Sequence, residues 1–142
     1  MKARHNLRKL NIWNEAVDLA VDVYKLTADF PKDEKFGLVS QMNSSAVSIP
    51  SNIAEGAGRN SSGEFVQFLG IANGSANELF TQMVISNKLG FVKDETLEAF
   101  EDRIDKAQRS IFNLSKTLNN PKKQSLTRLS KIANRIVANR IL

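Results

Sequence analysis

The sequence has no cysteine, which excludes disulfides, thiolate metal sites and cysteine nucleophiles. Its single histidine, His5, excludes any site that needs two imidazoles, including the paired Glu-x-x-His sites of di-metal helical bundles. Apolar runs are only a few residues long, so no segment is expected to span a bilayer. Met1 to Leu10 is charged and is not followed by an apolar stretch, so no secretory signal is expected. These absences point to a soluble, cytoplasmic protein with no cofactor.

Charge of one sign is missing from particular stretches. Residues 1–10 contain Lys2, Arg4, Arg8 and Lys9 and no acid. Residues 121–142 contain Lys122, Lys123, Arg128, Lys131, Arg135 and Arg140, again with no acid. The whole chain carries 20 basic against 15 acidic residues, a formal +5, so ends of +4 and +6 leave −5 for the remainder. A basic isoelectric point therefore describes the two ends and not the body.

What is present is helical periodicity, without the alternation that marks strands. The spacing predicts a first helix from Leu10 to about Ala28, ended by Phe30-Pro31, because a residue before proline avoids the α region. A second helix is expected from Asp33 or Glu34 to Ala57, kinked at Pro50 and closed by Gly56 and Gly58. Ser61-Ser62-Gly63-Glu64 reads as a capping box opening a third helix that runs to Leu89, with Gly90 just past its end. A fourth helix is expected from an N-cap at Asp94 to the stop at Asn119-Asn120-Pro121. Short connections between four long helices predict an all-α, antiparallel up-and-down four-helix bundle over residues 1–120. Residues 121–142 form a separate extension, a basic amphipathic helical segment with Leu126, Leu129, Ile132, Ala133, Ile136, Val137 and Ile141 at helical spacing.

Two features suggest surfaces beyond a lone bundle. The polar residues of the first helix fill only about a 100° sector, leaving more apolar arc than one bundle face requires. From Phe36 to Asn87 only Glu55, Arg59, Glu64 and Glu78 are charged, four in 52 residues, where an ordinary share would give roughly 13. Exposed helix faces are normally charged, so the second and third helices read as covered on more than one side, and a homo-oligomer is expected. Gly70-x-x-x-Gly74 either admits another backbone from outside or eases packing within the chain; the pattern fits both.

Little in the sequence speaks for catalysis. Glu55 and Glu78 are isolated acids that could serve as a general acid/base pair. Acids on Ser- and Asn-rich helices more often accept hydrogen bonds from neighbouring hydroxyls, amides or Arg59. Ser44, Ser45, Ser48 and Ser51 have no base placed to activate them. Gly56-Ala57-Gly58-Arg59 lacks the preceding strand and following Lys of a phosphate-binding loop. A non-enzyme is expected. Phosphate-backbone affinity needs clustered Lys and Arg, and only the two ends supply them. The C-terminal segment can dock on the bundle, contact nucleic acid, or lie on an anionic membrane; with neither Trp nor Phe, the membrane is the least attractive of the three.

Leu10 to Val92 resembles the bacterial four-helix-bundle family linked to intervening sequences in 23S ribosomal RNA genes. The carrying residues include Ile12-Trp13, Phe30-Pro31-Lys32, Phe36-Gly37-Leu38, Glu64-Phe65, Phe68-Leu69, Gly74-Ser75 and Glu78-Leu79. The most specific of them is the run Ser48-Ile49-Pro50-Ser51-Asn52-Ile53-Ala54-Glu55-Gly56, which continues to Arg59. The resemblance implies an antiparallel bundle assembled as a pentameric ring, associated with RNA and without known catalysis. A more distant similarity is to the accessory variability proteins of retroelements, basic pentamers that partner a reverse transcriptase and nucleic acid. The sequence departs from the family in its uncharged Asn43-Ser44-Ser45, where basic residues are usual, and in the tail beyond Pro121.

The reading that follows is a non-enzymatic, homopentameric bundle in which Ser48, Pro50, Asn52, Glu55, Gly56, Arg59 and Glu78 serve fold and assembly. Arg4, Arg8, Lys9, Lys122, Lys123, Arg128, Lys131, Arg135 and Arg140 would contact RNA or DNA without base specificity. The competing reading is an oligomeric adapter for a protein partner such as a reverse transcriptase.

Overall fold

A computed structural model describes residues 6–120, 129–130 and 132–137. Four long helices dominate: α1 (Asn11–Thr27), α2 (Leu38–Ala57), α3 (Ser62–Lys88) and α4 (Asp94–Leu118), with short 3-10 turns at Leu7–Lys9 and Lys32–Glu34. No strand occurs among the described residues. Successive helices pack on one another, α2 against α3 most extensively, and α4 closes more thinly onto α1. This is the expected up-and-down bundle.

The apolar periodicity becomes a single core. Leu19 and Val23 of α1, Met42, Ile49 and Ile53 of α2, Leu69, Leu79 and Met83 of α3 and Ile104 of α4 are all essentially inaccessible to solvent. Phe30 and Phe91, from the two connections at one end, stack at 5.6 Å between ring centroids and close the core there. The thin α1–α4 seam is spanned by ion pairs instead, Asp22 to Arg103 at 2.7 Å and Glu15 to Lys106 at 3.2 Å. Both are substantially exposed, so each is worth at most about 1 kcal/mol.

The helix ends follow local chemistry, with three differences from the sequence reading. The Ser61 hydroxyl accepts the Glu64 amide at 3.2 Å and donates to the Glu64 carboxylate at the same distance. The Glu64 side chain thus reaches back to the capping hydroxyl, where a full capping box would have it accept the Ser61 amide. α2 begins at Leu38 and not at Asp33 or Glu34, because Gly37 leaves the helical conformation (ψ −115°) and the Leu38 amide is capped by the Glu34 carboxylate at 3.3 Å. α4 has Lys93 and not Asp94 at its N-cap position; the Asp94 carboxylate instead accepts the Asn87 side-chain amide at 2.7 Å. Gly90, with φ +82°, makes the left-handed turn expected after α3. α2 runs from Leu38 to Ala57 with Pro50 inside it.

An even number of antiparallel helices brings the chain back to the end where it started. The start of α1, the α2–α3 connection and the finish of α4 therefore share one end of the bundle, and the stretches on either side of residues 6–120 leave from it.

Candidate nucleic-acid interface

Connections at the end shared by the termini, residues 6–10, 58–61 and 116–120, contain Arg8, Lys9, Arg59 and Lys116 and no acid. All four cations are exposed. The 3-10 turn that carries Arg8 and Lys9 is fixed by Asn6, whose side chain accepts the Arg8 amide, and by Asn14, whose side-chain amide donates to the Arg8 carbonyl at 2.8 Å. Arg59 lies over the Phe68 ring at 4.7 Å and meets Glu55 at 3.5 Å; Lys116 lies over Phe112 at 5.3 Å. Opposite this pole, residues 28–37 and 89–95 carry Asp29, Asp33, Glu34, Asp94 and Glu95 against three lysines. With Glu55 and Glu64 one turn away, the end where α1 starts and α4 finishes carries a modest excess of positive charge, and the opposite end a modest excess of negative charge.

Among the residues expected to bind nucleic acid, Arg8, Lys9 and Arg135 are described and exposed. Arg4, Lys122, Lys123, Arg128, Lys131 and Arg140 lie outside the described residues. Lys116 was not anticipated, and Arg59 was read as part of the Ser-Ile-Pro motif and as a donor to a neighbouring acid, which its contact with Glu55 bears out. The antiparallel packing of the helices brings Arg59 to the same end as Arg8, Lys9 and Lys116.

Residues of the Ser-Ile-Pro run are occupied in packing. Ser48 Oγ lies 2.8 Å from Ser75 Oγ across the α2–α3 seam, and the Asn52 side-chain amide donates to both the Ser48 carbonyl (2.7 Å) and its hydroxyl (2.9 Å). Pro50 is buried on the side of α2 that faces α1, where it lines a groove with Val17 and Val21. A Cβ on Gly56 would stand 2.8 Å from the Phe65 ring and 2.9 Å from Phe68 Cβ, so glycine allows the close crossing of α2 and α3. Glu55 and Glu78 are both exposed. With Ser48 opposite Ser75 on antiparallel helices, Glu55 lies toward one end and Glu78 toward the other, on the order of 15 Å apart along the axis at 1.5 Å per residue. They do not form a catalytic pair. Among the described residues no cluster of three or more His, Asp and Glu side chains could hold a metal ion.

The charge-poor faces are open within the chain. The outer stripe of α2 consists of Ser40, Ser44, Val47, Ser51 and Glu55, and that of α3 includes Gln67, Ile71, Gly74, Glu78 and Ile85. Ala72 and Ala76 are fully buried, but a Cβ on Gly70 or Gly74 would meet nothing within 4 Å. Packing within the chain accounts for the alanines and not for these two glycines. The surplus apolar arc of α1 is also visible: Val21 (47% exposed) and Tyr24 (51%) join Val17, Ala20, Val47 and Pro50 around a groove of about 390 Å³ between α1 and α2.

The fold and its surfaces define the class: a small helical bundle, polarised in charge, with uncharged flanks. The profile of the 23S rRNA-intervening sequence protein family matches residues 8–113, and the chain belongs to that family. Among solved structures it is similar to a protein of unknown function from the S23 ribosomal protein family of Bacteroides thetaiotaomicron. The two are 22% identical, the match covers 75% of this chain and 99% of that one, and the TM-score is 0.67, which shows a shared fold. No curated protein matches the chain. Among the described residues no helix is long and apolar enough to cross a membrane.

Proposed function

We propose that this protein is a non-enzymatic homo-oligomer, pentameric as the family resemblance implies, that holds RNA or DNA through its basic pole without reading base sequence. The observation that carries the proposal is that the exposed Arg8, Lys9, Arg59 and Lys116 share one end of the bundle, the end at which residues 6 and 120 adjoin stretches rich in Lys and Arg in the sequence. Electrostatic contact with phosphates needs such clustering and no base-edge chemistry. Oligomerisation through the uncharged flanks multiplies the poles, so weak contacts add to useful affinity.

Truncation after Asn120 tests this with a single-stranded RNA titrated at several salt concentrations. Removal of six cations lowers affinity and flattens the plot of log K against log salt by up to about 4, at roughly 0.7 per phosphate contact. Unchanged affinity and slope would overturn the assignment of binding to the tail.

A second reading is favoured by the open apolar groove at Val21, Tyr24 and Val47. On this reading the oligomer is an adapter whose partner is a protein, such as a reverse transcriptase. Recovery of nucleic acid alone in a pull-down with purified polymerase candidates counts against it.

A further inference from the structure

A larger groove, of about 640 Å³, runs between α3 and α4 on the half of the bundle nearer the termini. Its floor is apolar (Val66, Leu69, Ile111 and Phe112), and its walls include Gly70 and Asn73 on α3 and Asp105, Gln108 and Arg109 on α4. Phe112, at its mouth, is 62% exposed, and the bare backbone of Gly70 adds depth that no side chain of the chain fills.

The same molecule carries a complementary element without a seat. Residues 129–130 and 132–137 are helical, and Leu129, Ile132, Ile136 and Val137 are each more than half exposed. At 100° per residue these four side chains share one face, and Arg135 falls well outside it.

We propose that the α3–α4 groove is the docking site for this chain's own C-terminal segment, folded back antiparallel to α4 within the same molecule. Two relationships select that occupant. The groove begins at Ser115, one turn before α4 ends at Leu118, so the chain leaves the bundle beside it. Along α4 the groove extends from Ser115 to Asp105, about 15 Å of helix, and Leu129 to Val137 spans about 12 Å. The charged groups lining the groove, Asp105 and Arg109, offset one another, so the seat is selected by apolar contact and not by charge. The ten residues between Leu118 and Leu129 suffice for the reversal. Tethering gives the docked form a high effective concentration. Docking leaves Arg135 facing outward, so the seat is compatible with the proposed nucleic-acid contact and does not depend on it.

The absence of native cysteine makes the test direct. Phe112→Cys and Ile132→Cys, which the antiparallel register places opposite one another, are introduced together in the full-length protein and oxidised mildly without nucleic acid, with Tyr24→Cys and Ile132→Cys as the comparison pair. The first pair is expected to close within one chain, giving a faster-migrating monomer on a non-reducing denaturing gel, and the second is expected to remain open. In parallel, the Ile132→Ser, Ile136→Ser variant is expected to raise amide hydrogen exchange several-fold in residues 66–73 and 105–115. A bond between chains would assign the groove to a neighbouring copy's segment and overturn the intramolecular seat. Absence of the bond, equal closure of the Tyr24 pair, or unchanged exchange would overturn the groove itself.

Discussion

The hydroxyls of Ser48 and Ser75 meet at 2.8 Å across the seam between α2 and α3, and Asn52 holds the Ser48 side through two further bonds. Ser48→Ala leaves the Ser75 and Asn52 groups short of a partner and is expected to lower stability by about 1 kcal/mol. The Ser48→Ala, Ser75→Ala double variant should lose less than the sum of the singles. Urea denaturation of all four proteins in a double-mutant cycle measures the coupling.

Gly56 and Gly58 are two residues apart and differ sharply in what surrounds them. A methyl at Gly56 would press on Phe65 and Phe68, while one at Gly58 would make ordinary contact at 3.6 Å. Gly56→Ala is expected to cost about 1–3 kcal/mol by overpacking. Gly58→Ala should be close to neutral in the same thermal unfolding experiment.

Gly74 separates folding from assembly. Within a helix, glycine costs about 1 kcal/mol relative to alanine, and nothing in the chain would obstruct the added methyl. Gly74→Ala is therefore expected to raise the monomer's stability and to weaken the oligomer. Stability by denaturant and mass by light scattering, taken on one preparation, read both effects. A more stable protein with unchanged mass would show that this face is not an interface.

Gln82 is buried, and its side-chain oxygen has no hydrogen-bond partner. Gln82→Met keeps the length of the side chain and removes the unsatisfied acceptor. Stability is expected to rise by about 1 kcal/mol, seen as a shifted denaturation midpoint with an unchanged slope.

The charge poles predict a positional effect independent of net charge. Arg8→Glu with Lys9→Glu is expected to reduce RNA affinity at least tenfold at low salt. Lys32→Glu with Lys35→Glu makes the same change in net charge at the opposite end and should reduce it much less. Equal losses would mean that overall charge, and not the pole, governs binding.

Much of this architecture was legible in local sequence. Ser61 as a cap, Gly90 as a turn and the stop after Leu118 depend on neighbours within a few residues, and all three hold in the fold. The start of α2 was not legible, because Glu34 caps Leu38 only once Gly37 has turned the chain. The Asp94 carboxylate bonds to Asn87, seven residues back across a connection, so its partner was hidden from local rules. The basic ends stood out in composition, but Arg59 joins Arg8, Lys9 and Lys116 only through the antiparallel packing of the helices. The α3–α4 groove had no sequence signal, since it arises from the distance between two helices and not from the pattern along either.

The return of the chain to its starting end also bears on how the molecule should be handled. A purification tag or fluorophore joined ahead of Asn6 would begin at the positive pole, where it would screen or crowd any anionic ligand. A probe at the turn around Gly90 would report from the far end and leave the pole clear. Affinities measured with each label in turn would expose the bias that the first introduces.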